Sequence, residues 1–452
     1  TTITTLDEAM AAIWERSGYD RGFISNPFAG DEAARMGLVR TARVLELLGN
    51  PDQDFGIVHV AGSKGKGSTS SFIDSIVRAA GRHCGRFLSP HLHSYRERFV
   101  VDNVEIDEAD FIRVVADVCA AAIEVEGNDV TVGQVTAWEL STAMALLWFS
   151  RSQCEIAVVE VGLGGTLDAT NVVEPMVSVI TSLDYEHTAI LGSTMAEIAG
   201  NKAGIIKSGR PVVCAAQPID ALTVIEARAR ELGAPLQVAQ RDWVVSGTDE
   251  SFSVVGSSWR HHKLASSLFG QHQVGNAGLA IAAIHTLAEL NVLPDNGMID
   301  AAIRKGVGSS FIPGRFEIMR HPSGATFVLD GAHSPASAKA LAVAVDEHFP
   351  GSGVTVIMGM LNDKQPDQVV RPLVSITKRW LVVTPSSPRA LSGEIVGASL
   401  QAMGVNPDVA GSVLEAVQLT IAEISGNPEK LVVVVTGSLS TVAEARVALG
   451  LT

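Results

Sequence analysis

Residues 60–69 read Val-Ala-Gly-Ser-Lys-Gly-Lys-Gly-Ser-Thr, a composition suited to holding phosphate. Gly62, Gly65 and Gly67 let the backbone fold into a nest whose N–H groups converge on an anion, and a helix that starts there adds partial positive charge. Lys66 adds a full charge, and a hydroxyl at Ser68 or Thr69 is a hard ligand for Mg2+. Ser63 and Lys64 complete the loop. The strict phosphate-loop pattern places Ser or Thr directly after the lysine, whereas here Gly67 intervenes. The bland alternative is an ordinary glycine-rich turn; an apolar run before it and a helical pattern after it favour phosphate binding.

Five further groups could do chemistry. Glu160 ends an apolar run, where a carboxylate either meets a cation or emerges into solvent. His187 follows the next run, in Ser182-Leu183-Asp184-Tyr185-Glu186-His187, and reads as a metal ligand, a proton carrier or a satisfied loop histidine. Lys202 lies in Ala199-Gly200-Asn201-Lys202-Ala203-Gly204, where a lysine would ordinarily snorkel to the surface. Further on, Asp330-Gly331-Ala332-His333-Ser334-Pro335 brings an acid, a histidine and a helix start together, a place to hold a ribose, carboxylate or phosphate. Arg315 stands just before it and could reach a nucleotide phosphate or form a plain salt bridge.

The elements that must position these groups are legible. Residues 55–61, 155–162, 176–183 and 211–215 are apolar runs without in-and-out alternation, as expected for parallel strands covered on both faces. Residues 69–80 place Phe72, Ile73, Ile76, Val77 and Ala80 on one helical face, with Gly81 as the stop. Strand, loop, helix is the opening of a doubly wound α/β domain. Residues 236–268 show short alternating runs broken by Gly-Thr-Asp and Gly-Ser-Ser, which predicts a small antiparallel side sheet. Residues 271–290 read as a helix, and 306–314 (GVGSSFIPG) as the linker between domains. After it strands are expected at 327–331, 354–360, 380–384 and 431–435, with helices at 335–349 and 413–424, a second, Rossmann-like α/β domain.

With 452 residues the chain is long enough for two or three domains with full cores. Its 34 Lys and Arg against 49 Asp and Glu leave a formal charge of −15, which argues against nucleic acid as a partner but not against an anionic small ligand. Cys84, Cys119, Cys154 and Cys214 are scattered, so neither a disulfide framework nor a cysteine zinc site is expected, and a reducing compartment is. Residues 1–17 carry no basic region followed by an apolar core, so they do not read as a signal peptide. Residues 264–288 lack Asp, Glu, Lys and Arg but are interrupted by Gly270, Gln271, His272, Gln273, Gly275 and Asn276, a poor membrane span. A cytoplasmic protein with no membrane partner is the expectation.

Taken in order, the segments resemble the folylpolyglutamate synthase/dihydrofolate synthase family of the Mur ligase superfamily. The resemblance runs through IVHVAGSKGKGSTSSF (57–72), FLSPHLHSYRERF (87–99), VEVGLGGTLDATN (159–171), ITSLDYEHTAILG (180–192), IAGNKAGIIKSGRPVV (198–213), GQHQVGNA (270–277), PGRFE (313–317) and LDGAHSPASAKAL (329–341). It implies an α/β architecture: a phosphate-loop ATPase domain with a small side sheet over residues 1–305, and a Rossmann-like glutamate-ligase domain over 306–452. The implied reaction is ATP-dependent amide formation through an acyl phosphate, joining L-glutamate to a folate or pteroate carboxylate, by a monomer. By resemblance, the loop Gly62, Ser63, Lys64, Gly65, Lys66, Gly67, Ser68 and Thr69 holds ATP phosphates. Asn276, Arg315 and Asp330 match nucleotide contacts, and His333 the glutamate side. Ser68, Ser89, Glu160 and His187 look like Mg2+ ligands or their neighbours. Lys202 matches the family lysine that CO2 carbamylates into a metal ligand.

Three positions depart from the family pattern: Lys64 and Ser334 stand where Asn is usual, and Thr166 where Arg is usual. They leave ATP and metal use intact but bear on the substrate pair. A Mur-like ligase for another carboxylate and amine, or a weakened member that binds nucleotide without efficient ligation, are the alternatives.

Overall fold

The computed structural model describes residues 3–17, 31–293, 296–424 and 431–452. Two compact units divide the chain: Thr1–Ser266 with Val274–Ser310, and Ser267–Gln273 with Phe311–Thr452.

The first unit carries β1 (Gly56–Ala61), β2 (Cys84–Phe87), β3 (Phe99–Val101), β4 (Val104–Glu105), β5 (Ile156–Glu160), β6 (Val177–Ile180), β7 (Val212–Cys214) and β8 (Leu236–Val238) in one sheet, ordered β4-β3-β2-β5-β1-β6-β7-β8. From β2 to β8 along that order the strands are parallel; β3 and β4 form an antiparallel edge. Ile57, Ala157 and Val159 pack with the helices Glu108–Asn128 and Ala137–Arg151. Ala61, Ile180 and Cys214 pack with Met195–Ala203 and Ile219–Glu231. Helices on both faces explain why β1 and β5 are buried at every residue and show no alternation.

β1 is flanked by β5 and β6. The chain leaves it to build strands on the β5 side, then returns to build β6, β7 and β8 on the other. Such a reversal leaves a crevice at the carboxyl ends of the central strands. Lys66, Glu160 and His187 all come from segments that follow or end these strands.

Two expectations change. Leu236–Val238 is not part of the side sheet: it pairs parallel with β7, Leu236 opposite Val212, and extends the main sheet. The side sheet is β9 (Trp243–Thr248), β10 (Ser251–Gly256) and β11 (Arg260–Leu264), antiparallel as predicted. The segment 306–314 is also only partly a linker, because the helix Asn296–Ser309 runs through its first four residues. Gly306 marks a close approach: a Cβ there would lie 2.5 Å from Ile76 Cα, so the glycine lets this helix press against Lys66–Ala79.

The second unit has β12 (Glu317–Arg320), β13 (Thr326–Leu329), β14 (Gly353–Met358), β15 (Thr377–Val382), β16 (Asp408–Val409) and β17 (Leu431–Thr436), ordered β12-β13-β17-β14-β15-β16. Only β12 is antiparallel. Val328, Val356 and Val434 pack with Leu341 and Val345 of the helix Pro335–His348. Among the described residues no helix is long and apolar enough to cross a membrane.

Candidate active site

The helix Lys66–Ala79 begins at the glycine-rich loop, with Gly65 as its N-cap at φ +86°. No L side chain adopts that backbone comfortably, and a Cβ there would strike the Asn276 carboxamide, so Gly65 and Asn276 fit only as a pair. The amides of Ser63 and Lys64 are spent on the Ser182 carbonyl, at 3.1 and 3.0 Å, which ties the loop to the segment after β6. The Ser63 hydroxyl adds a bond to the Asp184 carbonyl. The donors left to meet an anion are those at the helix start, Lys66, Gly67 and Ser68, which have no acceptor within the helix.

Lys66, Glu186, His187 and Lys202 line one small cavity with Gly62 and the segment 161–164. Lys66 Nζ lies 3.1 Å from the Gly62 carbonyl. Lys202 is 2% exposed, and its Nζ donates to the same carbonyl at 2.9 Å and to Glu186 Oε1 at 3.2 Å. Lys64 Nζ reaches Glu186 Oε2 at 3.5 Å. Burial, then the neighbouring Lys66, lowers the Lys202 pKa to about 8, with Glu186 opposing. Burial would raise Glu186, but Lys66, Lys202 and Lys64 outweigh it and hold the carboxylate below its ordinary value. Lys202 is therefore not the snorkelling lysine its apolar neighbours suggested.

Glu160, at the end of β5, is 4% exposed, and its Oε2 accepts from the Ser89 amide at 3.0 Å. The helix start lies close to that oxygen: a Cβ on Gly67 would sit 3.9 Å from it, in ordinary contact. Glu160 and the Ser68 hydroxyl are hard oxygen donors of the kind Mg2+ takes; Lys202 fits that set only if its charge is reversed. Among the described residues no three His, Cys, Asp or Glu side chains form a metal-holding group, so a divalent ion here would depend on hydroxyl and modified-lysine oxygens. His187 sits in the left-handed region at φ +48° and heads a short helix, Thr188–Leu191.

In the second unit, Asp330 follows β13. Its Oδ2 accepts from Phe316 N at 2.8 Å and its Oδ1 from Ala332 N at 2.9 Å. Burial raises its pKa, and the facing Arg315 works against that. A Cβ on Gly331 would lie 2.5 Å from Leu439 Cδ2, so this glycine keeps room for the Leu439 side chain, with Arg315 Nη1 next nearest at 3.4 Å. His333 donates from Nδ1 to the Gly331 carbonyl at 2.8 Å, which places a proton on Nδ1. Ser334 caps Pro335–His348, so serine keeps the N-cap role open to asparagine. Thr166 donates from N and Oγ1 to the Asn201 carbonyl, at 2.8 and 3.0 Å, anchoring its loop to the helix that carries Lys202.

The structure thus gathers the residues 62–69, Ser89, Glu160, His187, Lys202 and Asn276 in the first unit, and Arg315, Asp330 and His333 in the second. Sequence reasoning passed over Glu186, which it quoted but gave no role. Three lysines aimed at one anion site call for a counter-charge, and that was the available signal.

Residues 108–284 match the Mur ligase middle domain, and 314–439 the Mur ligase glutamate ligase domain. The chain is 36% identical over 372 residues to the dihydrofolate synthase/folylpolyglutamate synthase of Bacillus subtilis, covering 80% of this chain and 84% of that protein. It is 35% identical over 420 residues to a probable bifunctional folylpolyglutamate synthase/dihydropteroate synthase of Halobacterium salinarum, covering 91% of this chain but only 49% of that protein. The structure of Escherichia coli FolC in complex with DHPP and ADP superposes with a TM-score of 0.77 at 30% identity, over 92% of this chain and 93% of that one.

Proposed function

Because the chain belongs to the dihydrofolate synthase/folylpolyglutamate synthase family of the Mur ligases, we propose that it joins L-glutamate to a folate-type carboxylate at the expense of ATP. The acceptor is the carboxyl of a pteroate or the γ-carboxyl of a folate glutamate. The carboxylate oxygen takes the γ-phosphoryl group and ADP leaves. The glutamate amine then attacks the carbonyl carbon, loses a proton and expels phosphate. A carboxylate is a poor electrophile, and phosphorylation gives it a leaving group; the protein supplies position and counter-charge.

The observation that carries this reading is the single cavity in which Lys66 and Lys202 meet the glycine-rich loop beside Glu186 and His187. Lys66 and the amides at 66–68 hold the β- and γ-phosphates, with Ser63, Lys64, Gly65 and Thr69 shaping the loop. By the family match, Asn276 in the first unit and Arg315 and Asp330 in the second are taken as nucleotide residues, and His333 as a glutamate residue. Ser68, Ser89, Glu160, His187 and Lys202, the last as a carbamate, would hold Mg2+, which when bound offsets charge on the transferred phosphoryl group. The carbamate forms when the neutral Lys202 amine adds to CO2 and releases a proton, giving a negative group with two oxygens. Burial and a pKa of about 8 support it, because roughly a tenth of the amine is then neutral at pH 7, far more than for an ordinary lysine. Four free, buried cysteines are in keeping with a cytoplasmic setting, and we place the enzyme there as a monomer.

The test is a panel: dihydropteroate, tetrahydrofolate and its diglutamate as acceptors, each with several amino acids, read by phosphate release. Release that depends on glutamate and on one of these acceptors supports the assignment. ATP binding without such release points to the weakened alternative.

A further inference from the structure

His59 is a fully buried residue of the central strand β1 for which the proposed chemistry has no use. Its Nε2 lies 2.8 Å from Thr170 Oγ1. Thr170 Oγ1 donates to Asp168 Oδ1 at 2.5 Å, and Thr170 N reaches the same oxygen at 3.0 Å. Asp168 Oδ2 accepts from Leu163 N at 2.9 Å and from Trp138 Nε1 at 3.1 Å. Leu163 belongs to the wall of the cavity that holds Lys66 and Lys202. The Trp138 ring packs under Gly162 in the same wall, where a Cβ would lie 2.5 Å from Cζ2.

Burial raises the Asp168 pKa against the pull of its donors; with Asp168 ionised, the donor directions in this column follow. Asp168 is met by four donors, so it acts as acceptor only. The Thr170 hydroxyl has one proton, spent on Asp168, so it can only accept from His59. His59 must therefore carry its proton on Nε2. Its Nδ1, buried and without a hydrogen-bond partner among the described residues, is the cost of that arrangement. An unsatisfied buried nitrogen in a central strand is hard to explain by packing alone, since an aliphatic side chain would avoid it.

We propose that His59 is a positioning residue for the 161–164 wall, acting through Thr170 and Asp168 on the Leu163 amide and the Trp138 indole. The inference rests on the ligase reading for its kinetic consequence, but not for its geometry. His59→Leu removes the donor; His59→Gln places an amide N–H near the position of Nε2. The expected result for His59→Leu is a kcat lowered at least about fivefold, through misplacement of the wall facing Lys66, with ATP affinity changed less. His59→Gln should recover most of that loss. Two readouts are independent of activity. Nitrogen-15 NMR should show His59 as the Nε2–H tautomer. The Trp138 indole N–H resonance, assigned with Trp138→Phe, should shift in His59→Leu and return in His59→Gln. Should His59→Leu fail to fold, Thr170→Val breaks the column at its middle with little change of shape, and the same indole shift and kcat loss are expected. An Nδ1–H tautomer, an unmoved indole with wild-type kcat, or equal impairment of the leucine and glutamine variants would overturn the proposal. Failure of the ligase reading appears separately, as wild-type protein without glutamate-dependent phosphate release, and leaves the NMR readouts to decide the column.

Discussion

Lys202 Nζ lies 3.2 Å from Glu186 Oε1, an ion pair whose lysine is 2% exposed. The same carboxylate reaches Lys64 through its other oxygen. One anion thus holds two of the three lysines around the phosphate loop and faces the third. On the proposed reading, a phosphate chain entering this site meets Lys64 and Lys66 already placed, while Lys202, once carbamylated, turns to the metal, so little reorganisation accompanies charge development.

Lys66→Ala should lower ATP-dependent turnover at least about a hundredfold while leaving the fold intact, because the ammonium at the loop's centre offsets phosphoryl charge. Phosphate release and a circular dichroism melt on the same preparation check it. Near-normal turnover by a folded variant would remove the loop from the mechanism.

Lys202→Ala should lose activity, and acetate or formate should restore part of it by supplying carboxylate oxygens at the vacated position. In the wild type, carbamylation needs the neutral amine. Because the Lys202 pKa is lowered to about 8, labelling by 13C-bicarbonate should rise as pH climbs through about 8, well below the range of an ordinary lysine. No label at Lys202 at any pH, with full activity, counts against the carbamate.

Glu186→Gln removes the counter-charge that works against burial at Lys202, so the Lys202 pKa should fall further. Cyanate should then modify Lys202 faster at pH 7 than in the wild type, as mass spectrometry of the modified peptide would show. An unchanged rate would mean that Glu186 does not govern this lysine.

Glu160 and His187 should share a divalent ion. Anomalous scattering from a crystal soaked in Mn2+ with nucleotide should place density within reach of both side chains. Density beside only one of them would leave the other outside the metal set.

Acid should destabilise the fold before its carboxylates titrate. Burial, then Lys207, lowers His59 to about 3; burial, then His261, lowers His285 to about 4. Unfolded histidines protonate near 6.5, so between that pH and the lowered values the unfolded state binds protons that the native state refuses. Stability therefore falls as pH falls from about 6.5, by at most about 1.4 kcal/mol per pH unit for each such histidine. Urea midpoints from pH 7 to 5 measure the slope, and His59→Gln should flatten it.

The local elements were readable because their signals are short-range. Continuous apolarity marked β1, β5, β6 and β7, and the helix after the glycine-rich loop showed its face through Phe72, Ile73 and Ile76. Gly306 misled because a glycine in a turn and a glycine under a crossing helix look alike in sequence; only Ile76, 230 positions away, tells them apart. Leu236–Val238 misled for a related reason, since a three-residue strand carries too little pattern to say which sheet it joins.

By itself, then, the sequence determined the α/β class, the glycine-rich loop between strand and helix and the order of the motifs, because each resides in neighbouring residues whose backbone and side-chain preferences act locally. The tertiary structure decided which charges face one another. That Glu186 pairs with Lys202 and Lys64, that Asn276 closes against Gly65, and that His59 reaches the cavity wall through Thr170 and Asp168 all depend on segments far apart in the chain. Coulomb and hydrogen-bond energies act over a few ångströms of space, and the sheet's crossovers, not sequence spacing, set those distances.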